Sequence, residues 1–116
     1  MTSIIYVGMD VHKESYSLCC YSMETQTFFS ECTLPAVPKN IVAYLQRVDS
    51  TQEHPCEFRC GYEAGSLGFS LYSFLHEADI SCVIMAPTTI LRNGKKVKTD
   101  RLDAQQLAQA LAFGGY

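Results

Sequence analysis

Residues 4–9, Ile-Ile-Tyr-Val-Gly-Met, form an unbroken apolar run rich in β-branched and aromatic side chains. That pattern predicts a strand buried on both faces, ended by Asp10. Residues 16–21 (YSLCCY) and 27–34 (TFFSECTL) predict two more strands, and the polar stretch 23–26 between them predicts a hairpin loop. Pro35 and Pro38 interrupt the chain. Over 39–49 the apolar positions switch period: Ile41, Val42, Leu45 and Val48 share one face of a helix. A polar loop over 50–55 leads to a fourth strand, 56–62, ended by Glu63. Leu67, Leu71, Phe74 and Leu75 predict a second helix with Ser66 as its N-cap. Residues 80–85 (ISCVIM) predict a fifth strand, stopped before Pro87. A third helix is expected over 100–112, with Leu102, Gln106 and Ala110 along one face and Leu107 and Leu111 along another.

The order is β-β-β-α-β-α-β-α. The first three strands can meander as antiparallel hairpins. The last two are each reached through a helix, so a right-handed crossover sets them parallel to the first. The expected fold is α/β: a mixed five-stranded sheet in the order 3-2-1-4-5 with flanking helices. Ribonuclease-H-like proteins have this element order. A dinucleotide-binding fold would need βαβ from the start and GxGxxG after the first strand. Here Gly8-Met9-Asp10-Val11-His12-Lys13 is followed by another strand.

With 116 residues, the chain is read as one domain, and 47% hydrophobic against 18% charged residues excludes a disordered tail. No apolar run approaches the roughly 20 residues of a membrane span. The opening MTSIIYVGMDVHKE lacks the layout of a signal peptide, so a cytoplasmic setting is expected. Cys19, Cys20, Cys32, Cys56, Cys60 and Cys82 contain no CxxC pair and no matched His/Cys pair follows them, so they read as reduced, mostly buried thiols.

The net charge of −3 would argue against a nucleic-acid partner, but its distribution does not. Residues 92–103 hold Arg92, Lys95, Lys96, Lys98 and Arg101 against two Asp, a net of +3, whereas residues 1–91 carry a net of −6. A basic segment thus interrupts an acidic chain. It is either a solvated loop or a phosphate-binding one.

Four carboxylates give the chain candidate chemistry. Asp10 and Glu63 end strands expected to be adjacent and parallel, so both should emerge at the sheet edge where open α/β sheets bind ligands. Asp100 and Asp103 are three apart, hence on one face if both are helical, and that helix could swing back to the same edge. Carboxylates crowded in this way call for protons or cations. Mg²⁺, with Mn²⁺ as a substitute, is the fitting ion because it takes hard oxygen ligands. Two such ions can activate a nucleophile and stabilise a leaving oxygen in phosphodiester chemistry. Each residue has a plainer reading. Asp10 and Glu63 could be strand-end acids, and Asp100 and Asp103 an N-cap and a first-turn acid. His12 and Lys13 could contact phosphate. Gly61, Gly65 and Gly68 could let a backbone approach DNA closely, though more often glycines here allow a tight strand-to-helix turn, and Tyr62, Phe69 and Tyr72 read as core aromatics rather than a base-stacking platform.

Gly8-Met9-Asp10-Val11-His12-Lys13 resembles the opening motif of the DEDD transposases of the insertion sequence 110 family. Tyr62-Glu63-Ala64-Gly65, then Gly68-Phe69 and Leu71-Tyr72, resembles their second motif. Val97-Lys98-Thr99-Asp100-Arg101-Leu102-Asp103-Ala104, with the basic run before it and Leu107-Ala108 after it, resembles the third. The resemblance spans nearly the whole chain and is weakest over 24–55. It implies a RuvC-like N-terminal domain in which Asp10, Glu63, Asp100 and Asp103 are catalytic and bind Mg²⁺. It also implies DNA of the element's ends and target as partner, a bridge RNA, and a homo-oligomeric full-length protein in a bacterial cytoplasm. Family members continue into a linker and a C-terminal domain bearing a serine implicated in strand exchange. This sequence stops at Tyr116, so it is expected to be the N-terminal portion alone, inactive or nearly so by itself. Two rivals are a stand-alone Holliday-junction-resolvase-like nuclease and an actin-like nucleotide-binding domain. The second would want a glycine-rich turn where Val11-His12-Lys13-Glu14 stands.

Overall fold

A computed structural model describes residues 2–65, 69–86 and 102–114, together with the strand pairing of 89–92 and 95–98. β1 (Ser3–Val11), β2 (Ser15–Ser22) and β3 (Thr27–Pro35) form the expected antiparallel meander. β4 (Cys56–Glu63) pairs parallel to β1, and β5 (Ser81–Met85) parallel to β4. The sheet order is β3-β2-β1-β4-β5, as the sequence predicts. The two parallel joins are made through α1 (Pro38–Thr51) and α2 (Ser70–Glu77). Pro38 opens α1, where its missing N–H and fixed φ cost nothing.

Alternation divides β1 between two cores. Ile5, Val7, Met9 and Val11 face α1 and α2, where they pack with Leu18, Cys20, Cys60, Tyr62, Ile41, Leu45, Leu71 and Leu75. Tyr6, Gly8 and Asp10 face the other way, toward α3 (Ala104–Phe113). There Leu107 and Leu111 bury Met85, with Tyr6, Val83 and Leu102 around them. Both faces of β1 are therefore covered, which explains its continuous apolar run.

The α1 core contains one polar tie. Ser30 and Glu31 both oppose Cys19, because Leu18 pairs with Cys32 and Cys20 with Phe29. Ser30 takes a left-handed backbone in this bulge, φ 55°. The Tyr44 hydroxyl donates to the Ser30 carbonyl at 2.7 Å and lies 3.1 Å from Cys20 Sγ. Burial pushes the Cys20 thiol up to about 12. All six cysteines are free thiols, and Cys19, Cys20 and Cys60 are fully buried.

Four local expectations are corrected. Asp10 does not end its strand: β1 runs on to Val11, because pairing with β2 continues through Asp10–Ser17 and Val11–Tyr16. α2 begins at Ser70 with Phe69 as N-cap, not after Ser66, which lies outside the described residues. The Tyr62 hydroxyl accepts the Tyr72 N–H at 3.1 Å, bracing the first turn of α2 where it stands. The basic segment is not simply a loop: β6 (Thr89–Arg92) and β7 (Lys95–Lys98) pair as an antiparallel ribbon. α3 starts at Ala104 rather than at 100. Asp103 stops it there, since its Oδ1 accepts the Gln106 N–H at 2.8 Å while Gln106 Oε1 accepts the Asp103 N–H at 2.9 Å.

Candidate metal and nucleic-acid site

The site is built where β1 and β4 end. Their parallel register runs from Ser3–Cys56 to Gly8–Gly61 and Met9–Tyr62. Asp10 on β1 and Glu63 on β4 are the residues that follow this last pair. Gly8 and Gly61 precede them by two residues, so all four share the α3 face. Glu63 is only 5% exposed, the one buried charged side chain among the described residues. It pairs in register with Met85, and the next residue, Ala64, donates its N–H to the Met85 carbonyl at 2.8 Å. The Asp10 side chain is 18% exposed, with Oδ2 3.1 Å from His12 Nε2. His12 is half exposed and its backbone N–H closes the turn onto the Ser15 carbonyl at 2.9 Å. Lys13 is exposed in the same turn, at the same sheet edge.

The two glycines set how closely α3 can lie. A Cβ on Gly8 would fall on the Ala104 carbonyl oxygen and the Ala108 amide nitrogen. One on Gly61 would meet Leu111 Cδ2 at 2.6 Å and Met85 Cε at 3.1 Å. The helix therefore rests on the bare backbone of β1, with its N-terminus toward the carboxylate edge and Phe113 back against Tyr21. Neither glycine was singled out for this role in the sequence, though a signal was present: Gly8-Met9-Asp10 and Gly61-Tyr62-Glu63 are the same glycine–apolar–acid triplet.

Asp103 is the N-cap of α3. It lies over the β2 side of β1, within electrostatic reach of Cys19, which is the register partner of Gly8. Burial, and then the charges of Glu31 and Asp103, push the Cys19 thiol up to about 11. Gln105 Nε2 meets Glu31 Oε1 at 3.3 Å, tying the first turn of α3 to β3. Of the pair expected to share a helical face, Asp103 is the N-cap and Asp100 lies outside the described residues. Arg101 lies outside them too. Arg92 closes β6, and Lys95, Lys96 and Lys98 all lie on β7, so four of the five basic residues share one ribbon.

The donor chemistry fits a hard divalent cation. Two carboxylates follow the last β1–β4 pair, one of them buried, and hard oxygen donors of this kind suit such an ion. Among the described residues no three His, Cys, Asp or Glu side chains converge closely enough to hold an ion by themselves. Among the aromatics, Tyr62 is core as expected and Tyr72 is half buried, but Phe69 is 68% exposed, against its reading as a core residue. Among the described residues, no helix is long and apolar enough to cross a membrane.

Residues 7–115 match the model of a transposase family, the DEDD transposases of the IS110 type. A transposase for insertion sequence element IS1533 from Leptospira borgpetersenii is 32% identical over 108 residues, covering 92% of this chain and 30% of that protein. A Sinorhizobium fredii protein named as a transposase, y4qE, is 43% identical over 54 residues, covering 46% of this chain and 14% of its own length. The chain thus spans less than a third of either relative. With the matched model covering all but its ends, the chain belongs to the IS110-type DEDD transposase family.

Proposed function

We propose that this chain is the metal-binding catalytic part of a DNA transposase, acting in cleavage and exchange of DNA strands at an insertion sequence. The observation that supports this reading is the parallel pairing of β1 with β4 up to Met9–Tyr62, the pair just before Asp10 and the buried Glu63. Asp10 and Glu63 would hold Mg²⁺, with Asp103 and Asp100 completing its ligands. The ion would supply Lewis-acid activation of the attacking oxygen and charge stabilisation at the scissile phosphate.

The chain's own groups have distinct tasks in this reading. Glu63, buried and paired in register with Met85, would be one fixed donor. His12 bonds to the Asp10 carboxylate and steadies the second. Arg92, Lys95, Lys96, Lys98 and Arg101, with His12 and Lys13, would neutralise DNA phosphates. That contribution is salt-dependent and insensitive to base sequence. Strand exchange would require the remainder of a full-length transposase, as would any guide RNA and assembly into multimers.

Calorimetric titration of Mg²⁺ into the parent chain, Asp10→Asn and Glu63→Gln tests the metal reading. Saturable binding by the parent, lost in both variants while their circular dichroism is unchanged, is expected. Equal binding by all three would refute it.

A further inference from the structure

Phe69 breaks two local rules at once. Its ring is 68% exposed, more than any other large apolar side chain among the described residues. It also occupies the N-cap of α2, where it makes no side-chain capping bond. Ser, Thr, Asp or Asn at an N-cap would add about 1 kcal/mol that Phe forgoes. Folding alone thus favours neither the exposure nor the residue, and such conflicts are expected where function overrides local preference.

The backbone holding Phe69 is nonetheless firmly tied. The Phe69 carbonyl accepts the Ser73 N–H at 2.9 Å. The first turn of α2 is braced by the Tyr62 hydroxyl, and Tyr62 is buried in the α1 core and directly precedes Glu63. The exposed ring is therefore presented six residues after Glu63, from the helix that leaves the carboxylate edge. An exposed aromatic face offers a nucleobase a stacking surface, whatever the base.

We propose that the Phe69 ring is a stacking platform for an unpaired base of DNA held at the carboxylate edge. This rests on the DNA-binding reading above and adds a preference to it. The basic ribbon would grip phosphates of any DNA, whereas Phe69 would reward strands whose bases are already unstacked.

The test uses the 116-residue chain in EDTA, so that metal loading plays no part. Binding is compared for a fully paired duplex and the same sequence with a short unpaired stretch, using the parent, Phe69→Ser and Phe69→Trp, alongside thermal melts. The parent should prefer the unpaired DNA by about tenfold. Phe69→Ser should lose that preference, keep its duplex affinity, and melt no lower than the parent, because serine caps the helix. Phe69→Trp should retain the preference.

A preference that survives in Phe69→Ser would overturn the proposal and turn attention to a protein partner for the ring. A lower melting temperature with both affinities falling together would overturn it in favour of a packing role. Binding of both DNAs by the parent without preference would remove the stacking role and leave the DNA reading standing. Absence of DNA binding by the parent would remove both.

Discussion

The strands that carry Asp10 and Glu63 and the helix that Asp103 caps are held in place by different physics. Asp10 and Glu63 stand on neighbouring strands, each paired on both sides, with an apolar core beneath them and α3 above. Moving either would break a ladder. Asp103 hangs from the end of a ten-residue helix held by its capping box, an exposed link to Glu31 and the bare backbone of Gly8. The strand side is fixed by pairing across the whole sheet. The helix side is fixed by one docking surface, so it is the side that opens more readily.

The sharpest way to break this comparison is Gly8→Ala. Its methyl would meet backbone atoms of α3, which have no rotamer to escape into. The expected loss is about 3 kcal/mol or more, read as a fall in urea midpoint. Gly61→Ala meets only the flexible ends of Leu111 and Met85, so about 1 kcal/mol is expected. Equal losses would show that α3 does not rest on β1 as described. Asp103→Ala should cost about 1 kcal/mol through the lost cap, while Asp103→Asn should keep the cap and stay within about 0.5 kcal/mol of the parent. The pair separates the cap from any metal role, because only metal affinity should fall in Asp103→Asn.

Two adjacent thiols sharpen the comparison at lower cost to the fold. Cys19 faces α3 and Cys20 faces α1, and both are fully buried. Burial raises both thiols, to about 11 and about 12, so neither is much ionised near neutral pH. If α3 opens without the rest, Cys19 should be alkylated several-fold faster than Cys20 at pH 8, as peptide mapping would show. Equal rates would mean that both faces open together.

These contrasts also explain what could be read in the sequence. The sheet order was legible because each parallel strand is reached through a helix and the apolar runs are unambiguous. The parallel pairing of β1 with β4 was legible for the same reason. The start of α3 was not, because Asp100 and Asp103 both look like helix-opening acids, and only the Asp103–Gln106 spacing marks the real cap. The ribbon was missed because its charges drew attention from its pattern: Asn93-Gly94 between Arg92 and Lys95 is a favoured hairpin dipeptide. Phe69 was misassigned because it was grouped with Tyr62 and Tyr72 as a core aromatic, whereas it sits at the N-cap, ahead of the helix's buried face. The glycine shelf was hidden because its partner, α3, is more than forty residues from Gly61 in sequence.

The proposed function requires Asp10 and Glu63 to hold a divalent ion. Titration of Mn²⁺ into the isotopically labelled chain, with Asp10→Asn alongside, reads this directly through paramagnetic broadening of amide signals. Broadening centred on Asp10 and Glu63, reaching Asp103 and Ala104, and abolished in the variant is the predicted result. Broadening confined elsewhere on the sheet, or none at millimolar metal, would contradict it.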